Sequence, residues 1–567
     1  MRISNVSEYN IAGSEALKEK KAWSAYRKPA EGFFGADEVS SVTILHGGLP
    51  HLLDICFSAG LQGMGYRSDH LPVPSNEALA CGREYCDAGL CNPTYYTVGN
   101  LILYLEALRK EGKSRKEIVK NYILLTAGSC GPCRFGMYES QYRMALKAAG
   151  YEGFRVLVFN VERVPEALYE EPGLRIDLEF FTTLLQSIFI ADQLNDLMYL
   201  TQPYEVKKGA TKEAMKKVQE LVKAHFEHNI IWNKTPFPVF PGYFAGGVWE
   251  SAYRFLRMHY HAGLRDTLME CRKLFEAIEV DYTAIKPLVK PTGEFWAQST
   301  EGDGNYRLFE FLDEQGCELR YEPVSGLVFY ILYNEKMKYM FKPLTLAAER
   351  RKGFWRGVKY SAKVSLSRLG FLAAYQLARR LTAWNYKRIN KFLGNRSEDL
   401  DKIAKLAEDA GPYMDIRFEG GEAFMEVGKN IYHTEKKKAH MVVSVKPFGC
   451  MPSTISDSVQ ARVVSDYDDM SFLPLETSGD GKINALSRVQ MTLGEARQKA
   501  TDEFHRVLGE YNITHEQFLE IHRQHQISYH GAQKLPWVEG YTLRVSHYMH
   551  QLMKKAGIRK QRGAVFG

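Results

Sequence analysis

Six cysteines in three short segments limit what this chain can fold into. Five of them form two tight groups, C-x4-C-x4-C and C-x2-C, and the sixth lies far downstream in KPFGCMPS. They are Cys81, Cys86, Cys91, Cys130, Cys133 and Cys450. Thiolates grouped this closely are typical of metal ligands or redox dithiols. The pattern therefore predicts a fold that brings separate segments to one sulfur-rich site.

The size and composition indicate a multidomain globular protein. A chain of 567 residues is too long for one core, so we expect three or four domains. The N-terminal segment lacks the apolar core of a signal peptide, and no apolar run reaches the roughly 18 residues of a transmembrane helix. We therefore expect a cytoplasmic protein without a transmembrane segment. Disulfides do not persist in that compartment, which favours metal-binding or catalytic cysteines.

The net charge of +7 is concentrated in one basic helical segment. Between Lys336 and Arg396 there are 16 basic residues and one acid, Glu349, which gives +15 and leaves the rest of the chain near −8. Such a segment suits coenzyme A phosphates, an acidic protein partner or an anionic membrane surface, or it is a solvated helical face. We do not expect a nucleic acid partner.

Strand and helix patterns alternate in two parts of the chain, which predicts an α/β fold. The first part has apolar strand candidates in VTILH, NYILLT and RVLVFNV, with helical spacing between them. The second part has strand candidates in GEFWAQ, CELRYEPV, HMVVSVKPFGC and SFLPLET. We expect two or more doubly wound, mainly parallel-sheet domains with a helical segment between them and an iron–sulfur site at the domain interface.

The domain boundaries follow from these changes in pattern. The expected parts are a leader (1–35), a first α/β domain with the two cysteine groups (36–177), a helical region (178–285), a second α/β domain with the basic helical segment 336–396 (286–430), and a C-terminal α/β part with Cys450 and terminal helices (431–567).

The cysteine spacing leaves three kinds of site open. Cys130 and Cys133 follow a predicted strand and precede a predicted helix, where unpaired N–H groups favour thiolate. Cys450 also ends a predicted strand, and ligands collect at the carboxyl ends of strands in α/β sheets. An iron–sulfur cluster would use most of these thiolates. Structural zinc would need a second C-x2-C pair, and a thioredoxin-type CGPC dithiol would leave four clustered thiols unexplained.

Other polar residues near the cysteine motifs are candidates for the site. Glu294 and His440 are candidate catalytic groups, whereas Ser453 and Lys446 could hydrogen-bond to a cluster or tune its potential. Each also has a purely structural interpretation. Glu294 would start a strand and His440 would be a histidine with its hydrogen bonds satisfied. Ser453 would cap a helix, and Lys446 would be a solvated lysine in a loop. Glu301 in TEGDGN is either a site carboxylate or part of an acidic turn.

Several motifs resemble the 2-hydroxyacyl-CoA dehydratase and benzoyl-CoA reductase superfamily. The similar segments are PTYYTVGN, SCGPCRFGMYES, PTGEFWAQSTEGDGN, KPFGCMPS and SFLPLETSGDGKINALSRVQ. The chain looks more closely similar to the acyl-CoA dehydratase activase-related branch, whose relatives include double-cubane-cluster proteins. The resemblance extends from about residue 40 to 510, without the basic segment and the C-terminal tail.

This resemblance implies two α/β domains that hold an iron–sulfur cluster between them. The matching ligands are Cys91, either Cys130 or Cys133, and Cys450. The cofactor would be a [4Fe-4S] cluster, or a sulfide-bridged double cubane that uses all six clustered cysteines. The family's electron donor is an ATP-hydrolysing activator, and an acyl-CoA is the implied substrate class.

The chain itself has the features of the electron acceptor in such a pair. It has no G-x4-G-K-[ST] phosphate loop, so ATP would be used by the activator. We expect reductive or dehydrating chemistry. An oligomeric assembly is a further expectation. The alternative is a non-catalytic subunit that transfers electrons or carries the cluster without binding substrate.

Overall fold

A computed structural model describes most of the chain. The described residues are 34–128, 133–160, 173–229, 262–341, 354–398, 400, 402–417, 421–525 and 527–560. Cys130, most of the expected leader and residues 342–353 of the basic segment lie outside these ranges.

The first α/β unit contains one four-stranded sheet. Its elements in chain order are β1 (Thr43–His46), α1 (His51–Gly63), β2 (Arg67–His70), α2 (Asn76–Tyr85), α3 (Asn92–Lys110), α4 (Arg115–Asn121), β3 (Tyr122–Gly128), α5 (Tyr138–Ala148) and β4 (Arg155–Asn160). The strand order is β2-β1-β3-β4, and all neighbouring strands are parallel. Local chemistry sets the helix starts: Ser114 and Glu117 form a capping box that begins α4.

Three helices follow the first unit. They are α6 (Leu178–Thr201), α7 (Ala210–Asn229) and α8 (Ala262–Glu276), and a short strand β5 (Glu279–Val280) comes after them. Asp177 begins α6 by accepting hydrogen bonds from the N–H groups of Glu179 and Phe180. Their apolar faces share one core with α1 and with helices near the C-terminus. The described part of the expected helical region is therefore helical.

The second α/β unit repeats the arrangement of the first. Its elements are β6 (Leu288–Gly293), α9 (Phe295–Ser299), α10 (Leu308–Glu314), β7 (Glu318–Leu319), α11 (Ser325–Phe341), α12 (Phe354–Phe392), α13 (Ile403–Ala410), α14 (Ala423–Glu435), β8 (Met441–Pro447), α15 (Met451–Asp466) and β9 (Phe472–Thr477). The order is β7-β6-β8-β9, again entirely parallel. In both sheets the first and third strands are central neighbours, so both have the same topology.

The chain ends in helices that pack back onto the rest of the molecule. These elements are α16 (Lys482–Tyr511), α17 (His515–His525), β10 (Tyr529–His530) and α18 (Arg544–Lys555). β10 pairs antiparallel with β5 and ties the C-terminal segment to the middle of the chain. None of the helices in the described ranges has the length and apolar character needed to cross a bilayer.

The structure confirms the prediction of an α/β fold with parallel sheets and corrects two strands. GEFWAQ was expected to be a strand with Glu294 at its start, but the strand is β6, which ends at Gly293, and Glu294 caps α9. The strand expected in CELRYEPV is limited to the two residues of β7. Glu294 therefore follows the carboxyl end of a strand, where ligand sites form in such sheets.

Direct contacts join the two α/β units at the carboxyl ends of their strands. The Asn92 amide donates to the Thr477 carbonyl at 2.6 Å, and the Tyr96 hydroxyl donates to the Asp303 carbonyl at 3.1 Å. The rings of Tyr96 and Trp296 lie 5.5 Å apart within a shared apolar core. Loops from both sheets are therefore held against each other.

Candidate metal centre

Three cysteines occupy the same local position in the fold, at the N-cap of a helix. Cys91 precedes α3, Cys450 precedes α15, and Cys133 precedes a short 3-10 helix (Arg134–Met137) that leads into α5. Each has extended backbone angles, as N-cap residues do. The unpaired N–H groups at the start of each helix favour negative charge on sulfur.

The loops that carry these cysteines touch one another. Arg134, next to Cys133, donates a hydrogen bond from Nη1 to the carbonyl of Gly89, in the loop before Cys91. Gly449, next to Cys450, has φ of +78°, and a Cβ added there would lie 3.1 Å from Arg134 Nη1 and 3.7 Å from the Cα of Cys91. The positive φ favours glycine here, and the short distances show that the Cys450 loop packs against the other two.

The sulfur of Cys91 lies between two helices of the first unit. It is 3.4 Å from Oγ1 of Thr94, in the first turn of α3, and 3.3 Å from the hydroxyl of Tyr138, the first residue of α5. Cys91 is buried, with 7% of its surface exposed. Both hydroxyl groups can donate to a thiolate or to a bridging sulfide.

Helix N–H groups and acidic neighbours shift the pKa values of Cys133 and Cys450 in opposite directions. Burial, together with Glu422, Glu294 and Cys91, raises the pKa of Cys133 to about 12, although the N–H of Phe135 opposes the rise. Burial and Glu294 also raise the pKa of Cys450, and the hydroxyl and N–H groups of Ser453 oppose it. The hydrogen-bond donors therefore suit thiolates, but a positive charge is needed to offset the burial.

Two carboxyl groups complete the cluster. Glu294 accepts a hydrogen bond from the N–H of Ala297 at 2.9 Å, as the cap of α9, and burial raises its pKa. Glu422 precedes α14, and burial together with the charge of Glu294 raises its pKa to about 8. Three thiols and two carboxyls thus share a poorly solvated site, where bound iron would stabilise the thiolate form of the cysteines.

An iron–sulfur cluster and a single metal ion require different spacings between their ligands. Among the residues that the structure describes, no three His, Cys, Asp or Glu side chains are grouped closely enough to hold one ion. In a cubane, each protein thiolate binds a different iron, so the ligands lie farther apart than those of a single ion. Cys91, Cys133 and Cys450 would hold such a cluster, with Cys130 close by in sequence but outside the described residues.

The remaining pair of clustered cysteines lies on α2 and at its end. Burial, Glu84 and Glu106 raise the pKa of Cys81 to about 11. Burial, Asp87 and Cys81 raise the pKa of Cys86 to about 12. The charge interactions of these two thiols are thus with each other and with nearby acids, whereas Cys133 and Cys450 interact with Glu294 and Glu422.

Of the other candidates named from the sequence, two lie beside Cys450 and one does not. Ser453 donates to the sulfur of Cys450, and the charge of Cys450 raises the pKa of Lys446, although burial lowers it overall. Lys446 also forms an ion pair with Asp457 on α15. His440 is at the amino end of β8, opposite Cys450, and its Nδ1 accepts from the Leu288 N–H at 3.0 Å.

Comparison with known proteins did not identify a family. No protein-family model matches the sequence, and no curated protein matches it significantly.

Proposed function

We propose that this chain is an iron–sulfur redox protein that accepts low-potential electrons from an ATP-dependent activator. Cys91, Cys133 and Cys450 would be ligands, with Cys130 as the fourth thiolate. The reaction would be reductive or dehydrating, with an acyl-CoA as the substrate class suggested by the resemblance to 2-hydroxyacyl-CoA dehydratases. The chain would act as the electron acceptor and reaction centre, while the activator hydrolyses ATP.

One observation carries the proposal. Three cysteines from three separate segments, contributed by two parallel-sheet units, meet as helix N-caps around Arg134 and Gly449. A structural cysteine needs neither a helix N-terminus nor an acidic partner, and an isolated dithiol would need only the C-x2-C group. The carboxyl ends of strands are also the place where α/β sheets bind cofactors.

The surrounding side chains have definite roles in this proposal. A bound cluster would supply one-electron transfer at low potential. Ser453 and Tyr138 would donate hydrogen bonds to the sulfurs and so raise the reduction potential. Glu294 and Glu422, whose pKa values are raised, would hold protons beside the site and release one when an adjacent group becomes more basic.

Anaerobic purification with iron and sulfide determination tests the cofactor directly. About four irons and four sulfides per chain are expected for one cubane, and about eight irons for the double cubane. Electron paramagnetic resonance after reduction should show a signal of a paramagnetic cluster. Stoichiometric zinc without iron would contradict the proposal.

Cysteine variants test the ligand assignment. Cys450→Ala should lose most of the iron and the visible absorbance while its far-ultraviolet circular dichroism stays unchanged. Cys317→Ala is the matched control, because Cys317 is also buried but lies in the apolar core of the second unit. Full iron content in Cys450→Ala would exclude Cys450 as a ligand.

A binding measurement separates catalysis from simple electron transfer. Calorimetry of the anaerobic protein with a panel of acyl-CoA esters should give saturable heat if the chain binds substrate. The absence of heat with every ester, in a protein that contains its full iron, would favour the non-catalytic electron carrier.

A further inference from the structure

A cavity in the second α/β unit is lined by charged side chains and by none of the clustered cysteines. It has a volume of about 90 Å³ and is bounded by the carboxyl end of β7, by α14 and by α6. Arg320, which follows β7, and Lys429 and His433, both on α14, line it. Positions beyond the carboxyl ends of strands are where parallel α/β sheets bind ligands.

Arg320 has unused hydrogen-bonding capacity at this cavity. Its side chain is 11% exposed, and its Nε has no hydrogen-bond partner among the residues that the structure describes. Its terminal nitrogens form ion pairs with carboxylate oxygens of Glu318 and Glu398, but at 3.8 Å these contacts are too long to be hydrogen bonds. A guanidinium removed from water in this way requires acceptors, and its planar fork matches a carboxylate.

The imidazole ring of His433 is a second buried polar group that lines this cavity. His433 is 7% exposed, and its Nδ1 has no partner within the described part of the chain. Burial and the charge of Lys290 hold its pKa well below the ordinary value, so the ring is neutral and can donate one hydrogen bond. Two unsatisfied buried groups of this kind indicate that the cavity contains a polar molecule.

Charged side chains of both signs line the cavity, and Arg320 has the longest ion-pair contacts among the basic ones. The set comprises four basic and four acidic side chains: Lys290, Arg320, Lys402, Lys429, Asp192, Asp196, Glu322 and Glu398. Glu322 pairs with both Lys290, at 2.5 Å, and Lys429, at 2.7 Å. Asp192 accepts hydrogen bonds from the Tyr321 hydroxyl and from the N–H groups of Val324 and Ser325. The guanidinium of Arg320 lies 3.8 Å from its carboxylate partners, which leaves it room for a further acceptor.

We propose that this cavity binds a small carboxylate anion through the guanidinium of Arg320, with His433 as a second contact. The volume suits an anion of about four to six heavy atoms. The site is separate from the cysteines, so it does not depend on the proposed iron–sulfur function. Inorganic oxyanions of similar size share this chemistry and are separate arms of the test.

The experiment measures anion binding to the full-length protein by calorimetry and by thermal denaturation. Formate, acetate, propionate, bicarbonate and phosphate are compared with chloride at equal ionic strength. A carboxylate should give saturable heat and raise the melting temperature. Arg320→Met should weaken this binding at least about tenfold, because the bidentate contact is lost.

A cavity-filling variant keeps the test decisive if Arg320→Met does not fold. Gly326, on the first turn of α11, lines the cavity, and a Cβ added there would make only an ordinary contact, 3.6 Å from Glu322 Oε1. Gly326→Met should fill the space and abolish binding. Gly494→Met is the control, because nothing lies within 4 Å of a Cβ at that exposed helical position.

The possible outcomes decide the proposal. Carboxylate binding that Gly326→Met abolishes and Gly494→Met preserves would support it. No carboxylate heat beyond that of chloride would overturn it and indicate a water-filled cavity. Binding of phosphate or bicarbonate alone, or binding retained in Gly326→Met, would overturn it as well.

Discussion

At the scale of single residues, burial of acidic groups is the most informative property of the interface between the units. Glu301 shows the effect away from the cysteines: its Oε2 accepts a hydrogen bond from the His51 N–H at 3.0 Å across the interface. Burial, Asp54 and Glu310 raise its pKa to about 7, although this hydrogen bond opposes the rise. When an acid stays protonated in the folded state, the protein loses stability as the pH rises, because the same acid ionises in the unfolded state.

Glu301→Gln should therefore stabilise the protein in a pH-dependent way. Below the ordinary pKa of 4.5, both folded and unfolded states are protonated, and this contribution to stability is fully present. It is lost as the pH rises through about 7, whereas glutamine does not ionise. The variant should gain on the order of 2–3 kcal/mol relative to the wild type between pH 4.5 and pH 8.5.

Urea denaturation at the two pH values measures this difference. The exposed Glu314→Gln is the control for the effect of the substitution itself. An equal difference in unfolding free energy at pH 4.5 and pH 8.5 would show that Glu301 is ionised in the folded protein.

At the scale of elements, the strand-to-helix junctions carry the candidate site. The sequence was sufficient to predict β3, the helix that follows it, and β8, because apolar runs ending in glycine and cysteine have few alternatives. β6 was misplaced because Lys290 and Pro291 interrupt its apolar pattern. Lys290 is buried by pairing with Glu322, and Pro291 is tolerated because β7 pairs only with Leu288 and Val289.

The junction between β6 and α9 should be intolerant of any side chain at Gly293. Its φ is +120°, and a Cβ there would lie 2.1 Å from the carbonyl oxygen of Val445 in β8. Gly293→Ala must therefore separate the two central strands, at a cost of more than about 3 kcal/mol. Thermal or urea denaturation measures this loss.

The matched control is Gly494→Ala on the exposed face of α16. There is open space around its Cβ position, so alanine should stabilise the helix by about 0.5–1 kcal/mol. If Gly293→Ala were as stable as the wild type, the close packing of β6 against β8 would be wrong.

At the scale of the whole molecule, the candidate site depends on contacts between two units with the same sheet topology. Glu422 could not be identified from the sequence, since its role depends on α14 being placed beside a helix from another segment. Likewise, nothing in C-x4-C-x4-C indicates that the backbone at Cys91 lies beside the loop that carries Cys450. Local patterns predict secondary structure, but which cysteines share a site depends on contacts between distant segments, such as that between Gly449 and Cys91.

A cofactor held by both units should couple their stabilities. A ligand that binds only the folded protein stabilises every element that its binding requires. Removal of iron by anaerobic chelation should lower the melting temperature. It should also increase amide hydrogen exchange together at the start of α3, in the first unit, and at the start of α15, in the second. The C-terminal end of α16, where Tyr511 packs in a core that contains none of the clustered cysteines, should change little. Exchange that increases in one unit only would mean that the metal is bound within that unit, and the shared site between Cys91 and Cys450 would be wrong.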